Sequence, residues 1–264
     1  MLKSVLYNTL NRLLRKGGFV LIPAREARDR DQLVKTYGLR NKDIIRLNAS
    51  PNGGLRQHLI AHQQTKWLEI GCGGTLKEDF HYIDLFPEGV VDRSARGRYS
   101  RIDIVHANES QLQKLGKFDL VRMQHVFEHF APEDGREVLR RCASLLNPRG
   151  YLLITTPDLR IFARTYLNDG FKGNPQMESF NQEALKNGRA NAESPDSFYF
   201  SVFAHSLLHE RHLWCYDFDG LKYLLEETGS FADIQELGLD HPLADFPFTH
   251  NRPEEDVCVL ARKI

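Results

Sequence analysis

Residues 66–75 read KWLEIGCGGT, an apolar run with one acid that ends in Gly71-Cys72-Gly73-Gly74. Trp67, Leu68 and Ile70 are large or β-branched and suit a buried strand. Gly71 and Gly73 lack the Cβ that restricts φ and keeps a ligand away from the main chain. A strand that runs into a glycine turn marks the cofactor end of a doubly wound sheet, where ligands sit beyond the carboxyl ends of the strands. Two glycines do not distinguish such a turn from any other, so the surrounding pattern decides.

From Lys66 onward apolar runs alternate with helical patterns, as a parallel sheet requires. Strands are expected at 66–71, 81–85, 101–105, 118–122 and 151–156. Between the fourth and fifth, Pro132 opens a helix with Glu133 and Asp134 in its first turn. Val138, Leu139, Cys142, Leu145 and Leu146 form its apolar stripe, and Asn147-Pro148-Arg149-Gly150 is expected to end it. Only Thr75 to Phe80 separates the glycine turn from the second strand, so any helix there is truncated or absent. A helix at 217–229 and strands at 231–237 and 256–262 complete the pattern. The fold expected is α/β, a doubly wound, seven-stranded, mostly parallel sheet of Rossmann-like type. Residues 61–264 form that domain, 1–60 a helical extension, and 157–216 a polar and aromatic insertion expected to act as a substrate lid.

The chain has 264 residues, enough for one sizeable core, and its 35 basic and 35 acidic residues cancel. A neutral chain gives no reason to expect a polyanionic partner, so no nucleic acid is expected. Cys72, Cys142, Cys215 and Cys258 form no C-x-x-C pair, which argues against a zinc ribbon or a disulfide framework and fits a reducing cytoplasm. No apolar run approaches the ~20 residues needed to span a bilayer as a helix. The charge is uneven in one place. Lys3, Arg12, Arg15, Lys16 and Arg25 precede the first acid, Glu26, while Leu2, Leu6, Leu10, Leu13 and Leu14 recur at helical spacing. This basic amphipathic helix has three seats: its own domain, a second copy in a homodimer, or an anionic membrane surface.

The second strand ends in Tyr82-Ile83-Asp84-Leu85-Phe86-Pro87, which sets an acid beside the glycine turn, where a carboxylate can accept from both hydroxyls of a ribose. The fourth strand runs on through Met123, Gln124, His125, Val126, Phe127, Glu128, His129 and Phe130. In order, LEIGCGG, HYIDLFP, FDLVRMQHVFEH and LNPRGYLLITTPD resemble the motifs of the class I S-adenosylmethionine-dependent methyltransferases. The likeness is greatest to a bacterial group acting on small molecules and glycans. It spans residues 66 to 158, continues weakly to the last strand and does not cover residues 1 to 60.

That resemblance implies S-adenosyl-L-methionine as cofactor. Main-chain N–H groups from Gly71 through Cys72 and Gly73 to Gly74 would hold its carboxylate, and Glu69 the turn or the ammonium. Asp84 would take the ribose, Leu85 would face the adenine, and Gln124 is a further contact at the next strand end. Relatives often carry an Asp after the third strand for the adenine amino group; here Asn108 through its side-chain carbonyl, or backbone groups, would take its place. The acceptor implied is an oxygen or nitrogen of a small molecule, with a sugar or glycan precursor as one class.

Methyl transfer from a sulfonium is an in-line displacement, so positioning dominates and a base is needed only where the acceptor must lose a proton. His125 is the candidate for that base, or for a substrate contact. His-x-x-Glu-His at 125–129 also resembles a reversed zinc-protease signature, but it follows a strand and is cut by Pro132. Capping or loop anchoring is therefore expected of Glu128 and His129. His205, His209 and His212 have spacing suited to a metal, yet substrate recognition or lid docking is expected of them and no metal site is foreseen. Tyr199, Phe200, Trp214 and Tyr216 suit an acceptor pocket or the aromatic core. Two other functions fit the glycine turn. One is a nicotinamide-dependent oxidoreductase, disfavoured because Thr75-Leu76 interrupts G-x-G-x-x-G. The other is an adenosylmethionine-binding protein without turnover.

Overall fold

β1 (Trp67–Ile70) is buried at every position, as a strand covered on both faces must be. The computed structural model describes residues 54–72, 80–85, 98–161, 163, 212–245, 248–250 and 256–264. The basic N-terminal helix, Gly73, Gly74, Tyr199, Phe200, His205, His209 and nearly all of the 157–216 insertion lie outside the described residues.

β1 pairs in parallel with β2 (Phe80–Asp84) on one side and β4 (Phe118–Gln124) on the other. β3 (Tyr99–Arg101) extends the sheet beyond β2, and β5 (Leu146–Pro157) beyond β4. β7 (Asp256–Lys263) then runs antiparallel between β5 and β6 (Phe231–Glu236). The order of the seven strands is β3-β2-β1-β4-β5-β7-β6. Strand order reverses between β1 and β4, and that reversal opens a crevice at their carboxyl ends. The sheet is the Rossmann-like α/β arrangement expected from the sequence.

Alternation along the strands sends side chains into two apolar layers. Leu68, Ile70, Val121 and Met123 meet Val138, Leu139 and Cys142 of α3 (Pro132–Leu145) and Leu221 and Leu225 of α4 (Phe218–Glu227). On the opposite face Trp67, Phe80, Tyr82 and Leu120 meet Phe248 and Leu55 and Leu59 of α1 (Gly54–Ala61). Leu55 and Leu59, which cover that face, fall inside the stretch expected as an extension.

Two expected boundaries move for local reasons. The third strand stops at Arg101 because Asp103 turns the chain, its Oδ1 accepting the Val105 N–H at 2.9 Å. Asn147 to Gly150 do not terminate α3 as loop; Leu146 is already extended and opens β5. A register shift opposite Phe118 and Leu120 and a left-handed Arg149, φ 65°, accommodate those residues, and Asn147 Nδ2 donates to Asp119 Oδ1 at 2.8 Å.

A charge stands in the middle of this apolar frame. Arg122 on β4 is fully buried, with Nη2 2.7 Å from Oε2 of Glu69, its register partner on β1. Nη1 donates to the Phe248 carbonyl at 2.9 Å, and the guanidinium lies 4.1 Å above the Phe80 ring and 5.2 Å from that of Phe248. Losing one partner strands the other in the core. Arg122→Met is therefore expected to lower unfolding free energy by about 3–5 kcal/mol, and Glu69→Leu in the same chain to restore most of it. Denaturant unfolding of the two single variants and the double variant checks this. A double variant no more stable than Arg122→Met would show that the pair is not what holds Arg122.

Candidate active site

Because β1, β2, β4 and β5 run parallel, their carboxyl ends share one edge of the sheet. At the end of β1, Gly71 takes φ 74° and donates its N–H to the Ile83 carbonyl at 2.9 Å. A Cβ at Gly71 would stand 2.4 Å from Val126 Cγ2. The glycine is thus demanded by the chain leaving β4 as well as by its dihedral. Cys72 follows it, buried.

At the end of β2, Asp84 Oδ1 accepts the Leu85 N–H at 2.6 Å, and Arg101 Nε fixes the Leu85 carbonyl at 3.1 Å. The Leu85 side chain is 59% exposed, so a carboxylate and an uncovered apolar group stand together beside the crevice. Gln124, ending β4, donates to the Phe248 carbonyl at 3.3 Å. Two expected contacts acquire other work. Glu69 faces Arg122 inside the sheet layer, which replaces its expected hold on the turn or the ammonium with a structural charge pair. Asn108 caps α2 (Glu109–Leu115), its Oδ1 accepting the Gln111 N–H at 3.0 Å while Gln111 Oε1 accepts the Asn108 N–H at 2.9 Å. The carbonyl expected to meet adenine is committed to that capping box.

His125 follows β4 with φ 53°, a left-handed conformation uncommon outside glycine, while its N–H still reaches the Thr155 carbonyl at 2.8 Å. That backbone turn places the ring between two carboxylates: Nε2 is 2.7 Å from Asp256 Oδ1 and Nδ1 is 3.3 Å from Glu128 Oε1. Burial pulls the His125 pKa down, but the two carboxylates outweigh it and push it up to about 10. Burial alone would raise the Glu128 carboxyl, yet His125 holds it below the ordinary range. An imidazolium with both nitrogens committed has no lone pair for an acceptor's proton. In place of the expected base, the geometry makes His125 a clamp between the end of β4, the start of β7 and the following turn.

The turn is a short 3₁₀ segment, Phe127–His129, so His125 shares no helical face with Glu128 and His129. Phe127 is buried against Tyr216, ring centroids 5.1 Å apart, and against Gly135, where an added Cβ would stand 3.2 Å from Phe127 Cζ. The Leu213 and Trp214 N–H groups both donate to the Glu128 carbonyl, at 2.8 and 3.2 Å. The end of the 157–216 insertion is thereby laid over the turn. It brings His212 Nε2 to 3.8 Å from Glu128 Oε1 and its ring centroid to 4.8 Å from that of His129. His205 and His209, which share its spacing in the sequence, lie outside the described residues. Trp214 and Leu213 are 51% and 55% exposed beside this cluster, whereas Tyr216 belongs to the core. At the end of β5, Asp158 pairs with Arg160 at 2.8 Å and Arg160 reaches Glu236, which pins this edge to β6.

A sheet of this order, with a glycine turn after β1 and an acid ending β2, defines a class I S-adenosylmethionine-dependent methyltransferase arrangement. Residues 41–231 match the family model described as "Methyltransferase domain", and the chain belongs to that family. A curated relative, the ubiquinone biosynthesis O-methyltransferase of Xanthomonas oryzae pv. oryzae, is 31% identical over 101 residues, covering 34% of this chain and 41% of its own length. The chain thus spans about two fifths of the length of the curated relatives it matches. Among solved structures, a SAM-dependent methyltransferase from Archaeoglobus fulgidus shares 17% identity over 83% of this chain and 94% of its own, with a TM-score of 0.44. The N-methyltransferase NodS from Bradyrhizobium japonicum, in complex with S-adenosyl-L-homocysteine, shares 14% over 88% and 97%, with a TM-score of 0.40.

His125→Gln keeps a polar side chain but removes the cation between Asp256 and Glu128. It is expected to lower unfolding free energy by roughly 3 kcal/mol, and to combine less than additively with Asp256→Asn. Chemical denaturation of the two single variants and the double variant measures both effects. Unchanged stability with turnover lowered a hundredfold or more would return His125 to the role of base.

Proposed function

We propose that this protein transfers the methyl group of S-adenosyl-L-methionine to an oxygen of a small hydroxyl-bearing molecule. The observation that carries the reading is the pairing of the Gly71 turn with Asp84 and Leu85 at the adjoining carboxyl ends of β1 and β2, beside the strand-order reversal. The residues suit the group. A ribose diol needs an acceptor, and a carboxylate has about four acceptor sites, so the local bond to Leu85 does not exhaust Asp84. A flat purine needs apolar cover, and the Leu85 side chain is exposed beside that acid. The methionine carboxylate suits main-chain donors in the turn that begins at Gly71 and Cys72.

The bound cofactor supplies a methyl group already activated by its sulfonium. The chain's part would be to align an acceptor oxygen with that methyl, so that an O–CH₃ bond could form as the S–CH₃ bond breaks, the acceptor's proton leaving to solvent. The wall beside the 3₁₀ turn, with exposed Leu213 and Trp214, is the acceptor side in this reading. The choice of oxygen draws on the name of the curated O-methyltransferase relative. Sugars and glycan precursors are the class suggested by the motifs, an intermediate of ubiquinone biosynthesis the class suggested by that relative's name. No helix among the described residues is long and apolar enough to cross a membrane. We place the reaction in the cytoplasm, where free Cys72, Cys142, Cys215 and Cys258 stay reduced. The basic residues before Glu26 give the chain its seat on an anionic membrane or on a second copy.

Titration calorimetry with S-adenosyl-L-methionine, S-adenosyl-L-homocysteine and NAD tests the cofactor. The first two are expected to bind and NAD not. Asp84→Ala should weaken both by on the order of 1–3 kcal/mol through lost ribose hydrogen bonds. Preferential NAD binding would support an oxidoreductase instead. Binding of the sulfonium with no labelled methyl passed to hydroxyl compounds of a cell extract would support a protein that binds without turnover.

A further inference from the structure

Glu128 is a buried carboxylate short of partners. It is 1% exposed, and neither carboxylate oxygen receives a well-formed hydrogen bond among the described residues. His125 Nδ1 stands 3.3 Å away, within ion-pair range but off the line of a good hydrogen bond, and the same ring is already engaged by Asp256 at 2.7 Å. One basic ring is thus shared between two buried carboxylates. A buried carboxylate in this position carries lone pairs that call for a further positive partner.

Two imidazoles supply the rest of a site. One ligand atom each from Glu128, His129 and His212 lie within 4.8 Å of one another. Glu128 and His212 are buried, and His129 is partly so. The three are held from independent directions: Glu128 and His129 by the 3₁₀ turn, His212 by the Leu213 and Trp214 N–H groups that bond the Glu128 carbonyl. A divalent ion with nitrogen and oxygen ligands at about 2.0–2.2 Å draws three donors to roughly 3.4 Å from one another, a closure that side-chain rotation supplies. Two imidazoles and one carboxylate suit a first-row divalent ion such as Zn²⁺, Mn²⁺ or Fe²⁺ and leave coordination positions open.

We propose that Glu128, His129 and His212 form a divalent-metal site at the carboxyl end of β4, with an open position for water or for an oxygen of the acceptor. Metal binding itself does not rest on the methyltransferase reading; the role for the acceptor does. A Lewis acid there lowers the pKa of a coordinated hydroxyl. It would favour loss of the proton that oxygen methylation releases, a task His125 is not placed to perform.

The test uses the full chain, stripped with a chelator and free of cofactor and acceptor, so it succeeds or fails apart from any transfer activity. Calorimetry with Zn²⁺ alone is expected to show one equivalent bound, and Co²⁺ in its place to develop a visible d–d absorption. His212→Ala and His129→Ala should each weaken binding about 100-fold or more, since even outer partners of a metal ligand are worth 10–100-fold. Glu128→Gln serves as a near-isosteric third variant, and thermal melts show which variants remain folded. His58→Ala, which removes half of the His58–His62 imidazole pair at the end of α1, should leave the equivalent in place. No bound equivalent in the native chain would overturn the proposal. So would an equivalent that survives in folded His129→Ala and His212→Ala, or one that disappears with His58→Ala.

Discussion

Strand β4 carries two basic side chains into surroundings that exclude water, and the sheet is arranged so that both are paired. Arg122 lies in its middle and His125 at its end; their partners, Glu69 and Asp256, stand on β1 and β7. Unpaired, either charge would meet a desolvation cost of several kcal/mol, comparable with the stability of a whole domain. A slip of one residue would turn Arg122 towards the layer that holds Val121 and Met123 and move Glu69 away from it. Apolar side chains alone tolerate such slips at modest cost, whereas a buried charge with a fixed partner does not. The Phe248 carbonyl and the Phe80 ring complete the surroundings of Arg122 and tie β2 and the segment before β7 to the same point.

The geometry of the site follows from this pairing. His125 must leave β4 in a left-handed conformation to reach Asp256 while its N–H still pairs with β5. That turn directs Val126 against Gly71, where no Cβ is tolerated, and sets Phe127 into the core beneath Tyr216. The Glu128 carbonyl is left pointing at the returning insertion, whose Leu213 and Trp214 N–H groups take it. The glycine turn and the wall opposite it are therefore shaped by one sequence of contacts that starts at a buried histidine. Local strain of this kind persists where surrounding structure fixes it, and here the two carboxylates and the β5 hydrogen bond do so.

Much of the fold was legible because it rests on local pattern. The apolar run at Trp67 to Ile70 and the stripe from Val138 to Leu145 each report their own burial. The third strand and the end of α3 were misjudged by residues whose conformation depends on a side-chain turn or a bulge. At Asn108 the local signal is readable: Asn followed three residues later by Gln opens a helix with a capping box, which engages the side-chain carbonyl. Arg122 sits as one letter inside FDLVRMQ, and nothing local says whether it snorkels out or finds Glu69. His212 shows the opposite failing. Its spacing to His209 and His205 is conspicuous in the sequence, but its described neighbours, Glu128 and His129, come from a distant segment and are set by a crossing that no periodicity encodes.

The proposed methyl transfer would explain how the residues that look most reactive can be given to structure. A sulfonium methyl is already electrophilic, so the protein's contribution is alignment rather than proton relay. A histidine at a strand end is then free to be a permanent cation between carboxylates, and a glutamate on the neighbouring strand free to neutralise an arginine. A hydroxyl acceptor changes that balance only at its own proton. In the proposed reaction the groups placed to influence that proton are Glu128, His129 and His212, whose ligand atoms lie within 4.8 Å of one another. The division between the charges that hold β4 in place and the donors gathered beyond it is what separates scaffold from chemistry at this edge of the sheet.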